Sequence, residues 1–170
     1  RQDWKQLLNM GDRLYELDRE VRAGLPPDRR AALDDAVIAN ASDGFQFRYE
    51  SIRIPDGSAD RLRDGSLPAR FASWLSSGAT LARIEGLTGL SGLRFADAQA
   101  TLYSGGDFLT GHDDAVAGKE RRAAYVLGLT PIWRPEWGGL LLFHGADQRL
   151  DALSPGFNCL DIFTVPRKIG

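Results

Sequence analysis

The chain has 170 residues, 43% of them hydrophobic and 26% charged, with a formal net charge of −2. That balance describes one folded domain, or two at a stretch, and offers no basic surface of the kind a dedicated nucleic-acid binder uses to neutralise phosphates. A single cysteine, Cys159, excludes an internal disulfide framework and any cysteine-based zinc or iron–sulfur centre.

Along the chain, Trp4 to Leu17 reads as a hairpin about Asn9, Met10, Gly11 and Asp12, with a helix as the competing reading. From Pro27 onward, Ala32, Leu33, Ala36 and Val37 recur at helical spacing, and the helix is expected to end near Asp43 and Gly44. Residues 45–54 alternate between apolar and polar side chains, which predicts a half-buried strand closed by Pro55, Asp56 and Gly57. Residues 67–77, with Phe71, Trp74 and Leu75 on one face, and residues 81–87 predict two short helices. After Gly92 the texture changes. Strands are expected at 95–103, 107–112, 121–130, 140–143, 149–153 and 157–165, separated by Gly, Pro and Asp turns as in a β-sandwich or barrel. The expected fold class is therefore α+β in a single domain: helical support to about residue 93, then a jelly-roll core from about 94 to 170. Within that frame Cys159 reads as a small buried hydrophobe, and Arg29-Arg30, Arg61 with Arg63, and Arg121-Arg122 read as solvated faces.

The residues with chemistry to offer run from Tyr103 to Asp114. Ser104, Gly105 and Gly106 predict a tight turn, so that Tyr103 closes one strand and Asp107 opens the next. On that second strand His112 and Asp114 stand two apart; side chains at that spacing share a face and can converge on one metal ion. Neutral imidazole with a hard carboxylate oxygen suits Fe(II). By itself the pattern is weak, because His-x-Asp occurs mostly in loops, and Asp113 and Asp114 read equally well as turn carboxylates.

Three blocks sharpen this: Ala98 to Asp114, Arg121 to Leu140, and Phe157 to Pro166. In this order and spacing they resemble the 2-oxoglutarate- and Fe(II)-dependent oxygenases of prolyl 4-hydroxylase type. The resemblance covers about residues 95–168, and residues 45–93 look like the helical support of bacterial members of that group. It implies a double-stranded β-helix (jelly-roll, cupin-like) with His112 and Asp114 as iron ligands at the end of the second core strand. It also implies Fe(II), 2-oxoglutarate and O2 as reaction partners, and ascorbate joins the candidate cofactors. The implied activity is hydroxylation of an unactivated C–H bond, with a prolyl residue in a protein or peptide as substrate. A free small molecule is the alternative substrate, and a non-catalytic jelly-roll binding module is the alternative from a different class.

Residue by residue, Tyr103 matches a tyrosine that lines the cosubstrate pocket; without the resemblance it reads as a barrel-end tyrosine with its hydroxyl in water. The third metal ligand and the arginine for the distal carboxylate of 2-oxoglutarate are expected beyond Gly170, with the last core strands. His144, after the 140–143 strand, reads as a loop histidine near the barrel mouth. Gly128 stands where relatives carry a larger residue, which leads one to expect spare room, and residues 113–120 read as a lid. Trp133, Trp137 and Gly138-Gly139 read as packing and turn chemistry. No apolar run approaches the roughly 20 residues of a bilayer span, so no membrane contact is expected, and the lone cysteine suits the cytoplasm.

Overall fold

The computed structural model describes residues 3–42, 44–115 and 120–165, and it divides into two compact units, Arg1–His112 and Asp113–Gly170. In the first unit the N-terminal ambiguity resolves as a hairpin. Strands β1 (Lys5–Met10) and β2 (Arg13–Asp18) pair antiparallel along their whole length, Lys5 opposite Asp18 through Met10 opposite Arg13. A short helix α1 (Arg19–Gly24) follows, and Pro27 then opens α2 (Pro27–Ala39) at the first helical position, where its missing N–H costs nothing.

The alternating stretch becomes β3 (Phe47–Arg53), the centre of a five-stranded antiparallel sheet ordered β2-β1-β3-β4 with β5 also on β3. Helices α3 (Ser58–Asp64), α4 (Leu67–Leu75) and α5 (Gly78–Thr88) come next. Ser66 caps α4 and Ser77 caps α5, each accepting the backbone N–H three residues on. Ile54, Ala69 and Ala72 form the buried cluster beneath α4, with Ile52 and Ala98 packed on it. Arg61 departs from the solvated face expected of it: it is 3% exposed. Its guanidinium donates to the carbonyls of Pro55, Ala72 and Ala96 and to the Ser76 hydroxyl, so one buried side chain ties α3 to the end of α4 and to the chain on either side of the helices.

Strands β4 (Gln99–Leu102) and β5 (Phe108–Leu109) are shorter than expected, and they relate to each other differently. They are not two arms of a hairpin. Both pair antiparallel with β3 on the edge away from β1: Glu50 faces Gln6 on one side and Leu102 on the other, and Arg48 faces Leu8 and Phe108. Between these two rungs β3 advances by Tyr49 alone while its partner spends residues 103–107. The Gly-Gly segment is thus an excursion from a single interrupted edge strand, a large relative of the β-bulge.

In the second unit β6 (Ala123–Gly128) pairs with β9 (Cys159–Thr164), and β7 (Leu141–His144) pairs with β8 (Leu150–Leu153), both antiparallel. The Phe143 and Phe163 rings meet edge to face, 5.0 Å between centroids, and link the two pairs. Cys159 is exposed rather than buried. It lies two residues before Asp161 on the same face of β9, with its sulfur 3.7 Å from an Asp161 carboxylate oxygen. The fold is thus mixed α and β, with antiparallel sheets throughout the described residues.

Candidate functional site

Alternation on β3 sorts the first unit's side chains into two faces. Phe45, Phe47 and Tyr49 point one way, and their rings continue a row that runs from His112 to Tyr103. Successive ring centroids lie 5.3 Å (His112 to Phe45), 5.3 Å, 5.4 Å and 5.3 Å (Tyr49 to Tyr103) apart. Two residues singled out from sequence therefore sit at the two ends of one aromatic row. Gln46, Arg48 and Glu50 point the other way and are buried.

His112 does not lie on a strand. The ladder stops at Thr110, whose N–H donates to the Gln46 carbonyl at 2.9 Å and whose hydroxyl oxygen accepts the Gln46 N–H at 2.9 Å. With that hydroxyl in the ladder the chain bends away at Gly111, and His112 and Asp114 fall in irregular backbone. The alternation that was to place their side chains on one face therefore does not apply. The imidazole is nonetheless fixed: Nδ1 sits 3.0 Å from the Thr110 carbonyl oxygen. A carbonyl only accepts, so Nδ1 carries the proton in this contact, which in the neutral ring leaves the lone pair on Nε2. This is the outer-shell arrangement that metal-binding histidines use. Asp114 lies 3.6 Å from the Arg121 guanidinium, which also donates to the Asp114 carbonyl at 3.2 Å. Asp113 behaves as a turn carboxylate, accepting the Ala115 N–H at 3.1 Å.

Tyr103, 44% exposed over the whole residue, stacks on Tyr49 with 30° between ring planes. Its phenol is pushed well above the ordinary tyrosine value, first by desolvation and then by Tyr49 and Asp107. It is therefore a neutral hydrogen-bond donor throughout the physiological range. The donor set, an imidazole with its lone pair at Nε2 and a hard carboxylate, fits Fe(II) as a partial set. Among the described residues no three His, Cys, Asp or Glu side chains gather in a group able to hold a metal ion.

Comparison with known proteins decides the family. The 2OG-Fe(II) oxygenase superfamily model matches residues 98–169, which contain Tyr103, His112 and Asp114. Residues 98–169 are thus a segment of the 2OG-Fe(II) oxygenase superfamily. It is also 33% identical over 135 residues to "Prolyl 3-hydroxylase sudestada1" of Drosophila melanogaster. That alignment takes in 75% of this chain and 21% of the relative, so the chain spans about a fifth of the length of the curated relative it matches. No solved structure matches it.

Within the oxygenase segment, Gly128 corrects one expectation. It leaves no spare room, because a Cβ there would overlap the Gly156 carbonyl oxygen and reach 3.0 Å from the carbonyl carbon. The Asn158 N–H, 2.8 Å from the Gly128 oxygen, holds that loop against β6. His144 is the last residue of β7, opposite Leu150 and exposed. Trp133 donates from its indole to the Gly138 carbonyl at 2.9 Å, the turn role expected of that loop. Of the lid reading, residues 116–119 lie outside the described residues, as do Pro166 to Gly170. Sequence reasoning passed over Arg48, Asp107 and Thr110. Nothing local marks them, since each is a polar residue in a strand or turn context where solvation is the ordinary fate.

Proposed function

We propose that the chain is the iron-binding part of an Fe(II)- and 2-oxoglutarate-dependent dioxygenase that hydroxylates a prolyl residue in a protein or peptide. The observation that carries this reading is the superfamily match across Tyr103, His112 and Asp114. In it, His112 through Nε2 and Asp114 through its carboxylate hold the iron, and the neutral Tyr103 phenol donates to a carboxylate of the cosubstrate. When bound, the iron and 2-oxoglutarate would activate O2, one oxygen atom of which ends in the C–OH group and the other in succinate as 2-oxoglutarate loses CO2. The chain's own work is orientation. Thr110 fixes the His112 ring plane through its carbonyl, and Arg121 pairs with Asp114.

A double-stranded β-helix is the fold that goes with this reading. It is supported by the nesting of the β7–β8 pair inside the β6–β9 pair along the chain, the connectivity of a rolled Greek-key arm. A prolyl substrate is supported by the name of the Drosophila relative, a prolyl 3-hydroxylase. The aromatic row, an apolar surface between Tyr103 and His112, is of the kind a pyrrolidine ring packs against.

The test is turnover by the full-length protein with Fe(II), 2-oxoglutarate and ascorbate, offering proline-containing peptides and, separately, free proline and other small acids. Peptide-stimulated succinate release with a peptide gaining the mass of one oxygen atom is expected, and Asp114→Ala should abolish both. Stimulation by small acids alone would replace the peptide with a small-molecule substrate. No succinate under any of these conditions would leave the non-catalytic binding module.

A further inference from the structure

We infer that Arg48 is a positioning residue for this site, holding the neck of the 103–107 excursion so that Tyr103 and His112 keep their relative placement; the inference rests on the proposed function. The edge strand leaves β3 after Leu102 and returns at Phe108, and the aromatic row shows that the residues on either side, Tyr103 and His112, belong to one face. An excursion of this length needs something to hold its two ends together. Part of the closure is local: the Asp107 N–H donates to the Ser104 carbonyl at 2.9 Å, and the Ser104 N–H donates to the Asp107 carboxylate at 2.8 Å.

The rest comes from behind the sheet. Arg48 sends Nε to Asp107 at 3.2 Å, Nη2 to the Gly106 carbonyl and Nη1 to Asp34 on α2 at 2.6 Å. Each of its three nitrogens thus has its own acceptor, a fork that lysine cannot reproduce. Both ends of the pair are shielded from water: the Arg48 side chain is 6% exposed and that of Asp107 is 4%. The turn is built around this guanidinium. Gly106 has φ +86, where side chains are strained, and a Cβ there would stand 2.8 Å from Arg48 Nη2. Because β3 also pairs with β5 through Arg48 itself, one residue sets both the rung from which the chain runs on to His112 and the loop that begins at Tyr103.

The experiment titrates the full-length protein with Mn(II), read by electron paramagnetic resonance, and separately measures KM for 2-oxoglutarate and kcat. Arg48→Lys keeps the charge and loses the fork. We expect it to raise the Mn(II) Kd about tenfold, the lower end of what outer-shell changes cost, and to raise KM for 2-oxoglutarate more than it lowers kcat, with the circular dichroism spectrum unchanged. A second variant, Arg48→Gln, removes the guanidinium while leaving the Asp107 carboxylate on the Ser104 N–H. It should show the same loss, and it decides the matter if the lysine variant fails to fold. Folded variants with wild-type Kd and KM would overturn the positioning role alone. A wild-type protein that takes up no Mn(II) would overturn the proposed function, and this inference with it.

Discussion

At Gly128 the added Cβ would meet backbone, the carbonyl group of Gly156, and backbone cannot rotate out of the way as a side chain can. Gly128→Ala is therefore expected to cost about 1–3 kcal/mol, the usual range for overpacking. A urea unfolding midpoint equal to wild type would show that the 154–158 loop simply moves aside. The same substitution would have been harmless under the sequence expectation of spare room, since a missing side chain looks alike whether space or another chain segment takes its place. Gln6 presents the reverse case. It is 2% exposed, and its amide nitrogen has no hydrogen-bond partner among the described residues. Leaving such a donor buried costs about 1–3 kcal/mol, and methionine has nearly the same shape without the polar group. Gln6→Met should raise the unfolding free energy by about 1 kcal/mol; a loss of stability would mean that the amide has a partner in solution.

Elements whose signals are local were legible: the hairpin from its turn residues, β3 from strict alternation, α2 from Pro27 and helical spacing, α4 from Phe71, Trp74 and Leu75. The strands of the second unit followed from turn spacing, a residue or more shorter at most ends. Two things were not legible. Helices α1 and α3 span single short segments in which at least half the residues are charged, with no apolar stripe to betray them. The single edge strand formed by β4 and β5 also escaped, because a Gly-Gly pair reads the same in a hairpin as in an excursion, and only the pairing with β3 separates the two. The ion pair that ties α1 to β3 leads to a testable pH dependence. Arg19 donates through Nε and Nη2 to both oxygens of Glu50, at 3.0 and 2.6 Å. That hydrogen bonding holds the Glu50 carboxyl below its ordinary value against the opposing effect of burial, with the charges of Arg19 and Arg22 adding to it. A lowered folded-state pKa contributes stability above the unfolded value, near 4.3, and the contribution disappears as pH falls through the folded-state value. Glu50→Gln should therefore destabilise the protein at pH 7, and its deficit should shrink as denaturant titrations are repeated from about pH 5 downward. A deficit independent of pH would assign the loss to packing instead of charge.

Across the whole molecule, the change from helices to strands after Gly92 and the division into units after His112 fall at different places. Long-range pairing explains this: β4 and β5 lie beyond Gly92 in sequence, yet they complete the sheet built on β3. The iron ligands proposed here, His112 and Asp114, are two residues apart in the chain. A metal ion held by both residues in the folded chain, and by neither site in the unfolded one, must stabilise the folded state in proportion to its occupancy. The stabilisation is RT ln(1 + [L]/Kd), about 2.7 kcal/mol at a free ion concentration one hundred times Kd. Thermal melts of the wild-type protein in increasing Mn(II) should therefore rise without saturating over that range, whereas Asp114→Ala should melt at one temperature throughout. Magnesium provides the control, because it keeps its water shell and prefers an all-oxygen octahedron over a site containing imidazole. Equal shifts with magnesium, or with Asp114→Ala in Mn(II), would mean that the ion acts at other carboxylates, and His112 and Asp114 would lose their assignment as ligands.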